Sequence, residues 1–280
     1  MKIVTTVSEL VDIINDWQKN NQTIGLVATM GYLHEGHQSL IKKSAEENDR
    51  TVVSIFVNPT QFAPNEDLTS YPRDLENDCR LAENSGASLI FAPSAEEMYP
   101  NGFNSYVEVV GITDLLEGKS RPTHFRGVTT VVSKLFHLTC PTRAYFGQKD
   151  AQQVAVISQM VCDLNFPVQI VVCPIVREAD GLAKSSRNTY LSKKERQAAL
   201  VLSQTLSLAE ELIKTGEWRV AAVIQKMTDF INNEPLAQID YIEIVDAKTL
   251  NMAESFTQPV LILLAVKINQ TRLIDNLLLV

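Results

Sequence analysis

Short apolar runs alternate with longer amphipathic stretches along most of the chain. The runs IGLVAT (24–29), TVVSIFV (51–57), SLIFA (88–92), RAYF (143–146) and VQIVVCPIV (168–176) are rich in Val, Ile and Phe. They lack strict alternation, as expected of strands covered on both faces. Helices fit between them at 37–48, 73–86, 126–138 and 150–164. In the third, Val128, Val131, Val132, Leu135 and Phe136 form a stripe at helical spacing that should face a core. The opening MKIVTTVSELVDIINDW reads as a short strand followed by an amphipathic helix. Strand and helix alternating in this way predict a parallel α/β sheet.

The texture changes after NTYLS. One long helix is expected over about 192–215, with Lys193, Lys194, Glu195 and Arg196 solvated and Leu200, Leu202, Leu206 and Leu208 buried. A second helix is expected over 217–233, and IDYIEIVDA and PVLILLAVKI follow as strands before TRLIDNLLL. The expected organisation is therefore α/β: a parallel-sheet domain over 1–176 and a smaller α+β C-terminal domain over 177–280.

Composition narrows the function classes. The 280 residues are 45% hydrophobic and 21% charged, enough for a sizeable core. A net charge of −8 argues against a nucleic-acid partner, because polyanion binding needs a basic footprint; a local positive pocket for a small anion stays open. Cys79, Cys140, Cys162 and Cys173 are scattered and read as reduced core thiols, not disulfides or zinc ligands. The N-terminus lacks an apolar signal core, and no apolar run approaches the roughly 20 residues of a membrane span. A cytoplasmic location is expected.

Four polar clusters follow the carboxyl ends of expected strands, where open α/β sheets bind ligands. They are TMGYLHEGHQSL (29–40), NPTQF (58–62), GQKDAQQ (147–153) and DGLAKSSRN (180–188). In the first, a helix opening at Gly36 and running from about His37 would aim first-turn N–H groups and its dipole at an anion. His34 and His37 would flank that anion, and glycine at 36 would allow close backbone approach. A metal pair and two structural histidines are the alternatives; the zinc-protease motif spaces its histidines by four, whereas here the spacing is three. Lys149 suits a phosphate, or pairs with Asp150 in the loop, and the amides of Gln152 and Gln153 suit an oriented hydroxyl or carboxylate. Pro59 stops a strand and Asn58 turns the chain, which could hold Gln61 over the sheet edge, although alone Gln61 reads as a solvated loop amide. Lys184, Ser185, Ser186 and Arg187 place two cations and two hydroxyls in a flexible loop after an Asp180-Gly181 turn, suited to a polyphosphate or simply to solvent. GITDLLEGKS (111–120) mimics a P-loop, but its first glycine lies two positions too far upstream, so a surface loop is expected there. No G-x-G-x-x-G follows the first strand.

Taken in order, TMGYLHEGH, SIFVNPTQF, YPRDLENDC, LIFAP, MYPNG, LEGKSRPTHFRGV, YFGQKDAQQ, DGLAKSSRNTYLS and the terminal RLIDN run through most of the chain. Together they resemble the pantothenate synthetase (pantoate–β-alanine ligase) family of the nucleotidyltransferase group. The resemblance implies a Rossmann-like catalytic domain and an ATP-dependent condensation in two steps: pantoate attacks the α-phosphorus of Mg-ATP, then β-alanine attacks the pantoyl adenylate and AMP leaves. It further implies ATP contacts from Met30, Gly31, Tyr32, Leu33, His34, Glu35, Gly36 and His37, with His37 as general acid or charge stabiliser and His34 and Lys149 supporting it. Gly147, Gln148, Lys149, Asp150, Val176, Lys184, Ser185, Ser186 and Arg187 would complete the nucleotide site. Gln61 and Gln153 would bind pantoate, and Gln61 would also touch β-alanine. Mg2+ would travel on the nucleotide, with no protein ligand assigned, and the family implies a homodimer. The chain departs from the family pattern at Ala28, Gln148 and Lys184, and it has Asn77 beside Asp78 where some members place a magnesium-associated acid. An adenylyl-transferring enzyme acting on another acid and a non-catalytic nucleotide sensor are the rival readings.

Overall fold

The computed structural model describes residues 1–64, 66–257 and 259–280 and divides into two compact units. The first comprises Met1–Gln148 and Gln152–Pro174; the second comprises Lys149–Ala151 and Ile175–Val280.

The first unit carries strands β1 (Lys2–Val4), β2 (Ile24–Thr29), β3 (Arg50–Ile55), β4 (Leu89–Phe91), β5 (Arg143–Gly147) and β6 (Gln169–Cys173). They form one parallel sheet in the order β1-β4-β3-β2-β5-β6. Its helices are α1 (Val7–Lys19), α2 (Glu35–Glu47), α3 (Leu75–Asn84), α4 (Ala95–Met98), α5 (Leu116–Ser120), α6 (His124–Thr139) and α7 (Ala151–Asp163), the last of which begins in the second unit's short segment. Successive residues of β2, β3, β4 and β5 enter different cores. Leu26, Val52, Leu89, Phe91, Ala144 and Phe146 join one cluster, and Val27, Val53, Ile90 and Tyr145 join another. Both faces are covered, so the strands read as continuous apolar runs.

The second unit contains α8 (Lys193–Ala198), α9 (Val201–Lys214) and α10 (Val220–Asn232), followed by β7 (Ala237–Asp246), β8 (Val260–Ile268) and β9 (Thr271–Leu279) in an antiparallel sheet of order β7-β8-β9. Leu202, Leu206, Val223, Met227 and Ile231 pack in one cluster with Ile244, Ile262, Leu264 and Val266. The expected α/β architecture is observed.

Several local expectations need correction. The helix expected over 192–215 is two helices, because residues 198–202 are all buried and one straight helix cannot turn five successive side chains to a single face. The chain instead tightens at the junction, where Leu202 N–H bonds to the Ala199 carbonyl three residues back. Arg196, expected in solvent, donates to Glu178 at 2.6 Å and Asp180 at 2.9 Å. The last expected strand of the first unit ends at Cys173, since Pro174 has no N–H for the ladder. The P-loop mimic is no surface loop: it includes α5, with Glu117 and Gly118 buried. Cys140 and Cys162 are exposed and only Cys173 is fully buried, so the cysteines are free thiols but not uniformly core residues. Among the described residues, no helix is long and apolar enough to cross a membrane.

Candidate active site

Strand order locates the site before any side chain is considered. From β2 the chain proceeds outward through β3 to β4, then returns to place β5 on the other side of β2. The reversal puts the carboxyl ends of β2 and β5 at the topological switch point, the ligand crevice of open α/β sheets. TMGYLHEGH leaves β2 there and GQKD leaves β5.

The segment between β2 and α2 is tightly built. Gly31 (φ 86°) and Tyr32 (φ 51°) are successive left-handed residues, a conformation costly for the tyrosine. Asp78, on α3 and 1% exposed, holds this turn by accepting from Tyr32 N–H at 2.8 Å and Leu33 N–H at 2.6 Å. Burial raises its pKa, and those two bonds oppose the shift. Thr29 Oγ1 accepts from Gly31 N–H and donates to the Ser54 carbonyl.

The helix opens at Glu35, two residues before the expected start, because His34 is its N-cap. His34 Nδ1 accepts from Gly36 N–H at 3.1 Å, and its ring also caps the His37 backbone. His37 Nδ1 accepts from His34 N–H at 3.3 Å. The first turn therefore offers its dipole and two imidazoles, where the sequence suggested a row of outward N–H groups. With Nδ1 of each ring accepting a backbone bond, the neutral tautomer of each carries its proton on Nε2. The rings lie 4.0 Å apart, centroid to centroid, at an interplanar angle of 34°. Both histidines thus have a fixed donor end and a structural end.

Gln61 belongs to a 3₁₀ turn over Pro59–Gln61 after β3 and is buried, not a solvated amide. Its Oε1 accepts from Asn58 Nδ2 at 3.2 Å, which orients the amide so that Nε2 donates to Met30 Sδ at 2.9 Å. Met30 and Gln61, from two separate sequence clusters, are thereby brought together. Asn58 is itself fixed by Tyr99 O–H and Thr60 O–H, both donating to its Oδ1, and by its own bond to the Gly127 carbonyl. Gln152 has a structural part: it accepts from Glu117 N–H and donates to the Ile112 and Leu115 carbonyls, so it is not available as a ligand amide. Gln153 is partly buried in the first turn of α7.

The remaining expected residues divide between the units. Gly147 and Gln148 end the β5 segment of the first unit, whereas Lys149, Asp150, Val176, Lys184, Ser185, Ser186 and Arg187 belong to the second. Lys149 Nζ lies 3.4 Å from Asp150 Oδ1, and the Lys149 carbonyl accepts from Asn276 Nδ2. The KSSRN segment, expected to be a flexible loop, is braced. Arg177 pairs with Ala183 in a β-bridge, Lys184 N–H donates to the Val176 carbonyl, and Ser185 caps a 3₁₀ helix over Ser186–Tyr190. Arg177 also makes a two-pronged pair with buried Asp275 at 2.6 and 3.0 Å. Lys184 Nζ stands 3.9 Å from Glu178.

Asp78, Tyr99, Arg121, His124 and Gly127 escaped the sequence reading of individual residues. The only signal for Asp78 is an acid one helical turn before buried Ala82, on the face that should be apolar. Among the described residues, no group of three or more His, Cys, Asp or Glu is arranged to hold a metal ion.

Residues 2–278 match the family described as Pantoate-beta-alanine ligase. A pantothenate synthetase of Acetivibrio thermocellus is 58% identical over 278 residues, covering 99% of each chain. One from Clostridium acetobutylicum is 54% identical, covering 99% of this chain and 98% of its own. The crystal structure of pantothenate synthetase from Thermus thermophilus superposes with a TM-score of 0.95 at 45% identity, covering 99% of both chains. A Francisella tularensis pantoate-beta-alanine ligase complexed with beta-gamma ATP and beta-alanine has a TM-score of 0.81 at 37% identity, covering 99% of this chain and 97% of its own.

Proposed function

The chain belongs to the pantoate–beta-alanine ligase family, and from that membership we infer the reaction its residues carry: ATP-dependent formation of pantothenate from pantoate and β-alanine. In the route we propose, the pantoate carboxylate attacks the α-phosphorus of ATP and pyrophosphate leaves. The β-alanine amine then attacks the acyl carbon of the pantoyl adenylate, and AMP leaves. A carboxylate is already ionised at neutral pH, so the first step needs no protein base. It needs alignment and stabilisation of the charge that grows on the phosphate oxygens.

In this reading Met30–His37 with Gly147, Gln148, Lys149, Asp150, Val176 and Lys184–Arg187 bind ATP. His37 is the proton donor or charge stabiliser, with His34 and Lys149 in support. Gln61 and Gln153 bind pantoate, and Gln61 also meets β-alanine. Magnesium enters with ATP as its substrate form. Asp78, the buried acid beside the histidine turn, already accepts two backbone bonds and is assigned no part in holding the ion. We further propose that the parallel-sheet domain binds ATP and pantoate, that the C-terminal part is a smaller α+β domain, and that the enzyme is a cytoplasmic homodimer.

One observation supports the site assignment above the others. At the switch point, both imidazoles are tied down through Nδ1, and Met30 of the same β2–α2 segment accepts from a Gln61 amide of fixed orientation. Product analysis tests the route: pantoate, β-alanine and Mg-ATP should yield pantothenate, AMP and pyrophosphate in equal amounts. Formation of ADP and phosphate instead would overturn the adenylate route.

A further inference from the structure

Beneath Gln61 lies a polar chain that the reaction scheme does not use. Glu66 takes both arms of the Arg121 guanidinium, Nε to Oε1 and Nη2 to Oε2, each at 2.7 Å. Arg121 Nη1 lies 3.2 Å from His124 Nε2, and His124 Nδ1 lies 3.0 Å from the Gln61 carbonyl oxygen. Arg121 Nη2 reaches the same carbonyl at 3.4 Å.

Every direction in this chain is forced by chemistry. A guanidinium only donates, so His124 Nε2 must accept; a backbone carbonyl only accepts, so His124 Nδ1 must carry the proton. The ring is thus a neutral Nδ1–H tautomer that passes the polarity of the Glu66–Arg121 pair on to the backbone of Gln61. Opposite this contact, Gly127 of α6 lies against the same turn. A Cβ there would come within 2.6 Å of Gln61 N and Cα and 2.5 Å of the Thr60 carbonyl oxygen.

We propose that His124 is a positioning residue: its Nδ1–H bond to the Gln61 carbonyl sets the turn that presents the Gln61 amide to pantoate. This rests on Gln61 being a pantoate-binding residue, as proposed above. His124 touches no reacting atom in this account; it acts through Gln61. Two other donors, Asn58 and Arg121, hold the turn as well, so the expected loss is that of one hydrogen bond and not of the whole site.

Substitutions that separate donor geometry from ring volume test the idea. The Nδ2 of Asn reproduces the Nδ1 position, whereas the longer Gln reproduces Nε2 and Phe reproduces only the volume. His124→Asn should keep the KM for pantoate within about threefold of the parent. His124→Gln and His124→Phe should raise it about tenfold with the KM for ATP unchanged, the size expected for one hydrogen bond. A Gln or Phe variant that matches the parent, or an Asn variant no better than Phe, would overturn the proposal. Gln61→Ala serves as the control. If it leaves pantoate kinetics unchanged, the pantoate assignment falls and the proposal falls with it; if it raises the KM while the His124 series stays flat, only the proposal falls. Imidazole ¹⁵N NMR of the unsubstituted protein gives an independent reading, in which His124 should be the Nδ1–H tautomer. A resonance pattern of the Nε2–H tautomer would contradict the link even if every variant failed to fold.

Discussion

At the residue scale, two histidines of one motif differ in what they can do although their sequence spacing treats them alike. His34 is an N-cap whose Nδ1 serves the first helical turn, and His37 is held at Nδ1 by the cap residue's own backbone. A cap is a stability device, whereas a held donor one turn further in is suited to a developing negative charge. His37→Ala should lower the adenylation rate about 10²–10³-fold, the usual loss for one transition-state donor, and should cost about 1 kcal/mol of stability, because the His34 N–H loses its capping partner. Stopped-flow or steady-state rates with circular dichroism melts would check both halves. His124 makes a different prediction. Burial first, and then the Arg121 charge, lower its pKa from 6.5 to about 4, while the Gln61 carbonyl, Glu117 and Glu66 act in the opposite sense. The unfolded chain therefore binds a proton between pH 6.5 and 4 that the folded chain refuses. Stability from this group is fully present above about 6.5 and is lost as pH falls toward 4, at most about 3 kcal/mol. Urea unfolding of the parent and His124→Asn at pH 7 and pH 4.5 isolates the effect: the variant should show a shallower acid loss, and parallel pH slopes would refute it.

At the element scale, α6 combines a helical stripe legible in the sequence with a glycine that the stripe does not explain. Ala normally exceeds Gly in a helix interior by about 1 kcal/mol. At Gly127 the sign should reverse, because the added methyl meets Thr60 and Gln61 backbone that cannot swing aside. Gly127→Ala should destabilise the protein by about 1–3 kcal/mol and weaken pantoate use, checked by denaturant midpoint and pantoate KM. A stabilised variant with unchanged kinetics would show that the turn is freer than described. The strands and most helices were legible because periodicity reports burial, and burial here is two-sided for the sheet. The split between α8 and α9 was not, since five successive buried residues look like an apolar helix until the packing partners are known. The early start of α2 was missed for a related reason: histidine is an unusual cap, and its ring reaches Gly36 and His37 only after the preceding turn is bent by Gly31 and Tyr32.

At the scale of the whole molecule, the placement of clusters after strand ends was readable, and strand order then singles out the β2 and β5 ends as the switch point. The support beneath the site was not readable. Asp78 bonds to residues 45 and 46 positions away, and His124 to one 63 positions away, so no local spacing announces either. The residues that touch substrate in the proposed scheme cluster into motifs, and those that hold them in place are dispersed. The central claim is that this sheet edge transfers adenylate to pantoate before β-alanine reacts. Pantoate-dependent exchange of labelled pyrophosphate into ATP, measured without β-alanine, tests it most directly. Exchange that needs pantoate and falls in His37→Ala is the expected result; absence of exchange in an enzyme that still forms pantothenate would contradict a reversible, separate adenylation step.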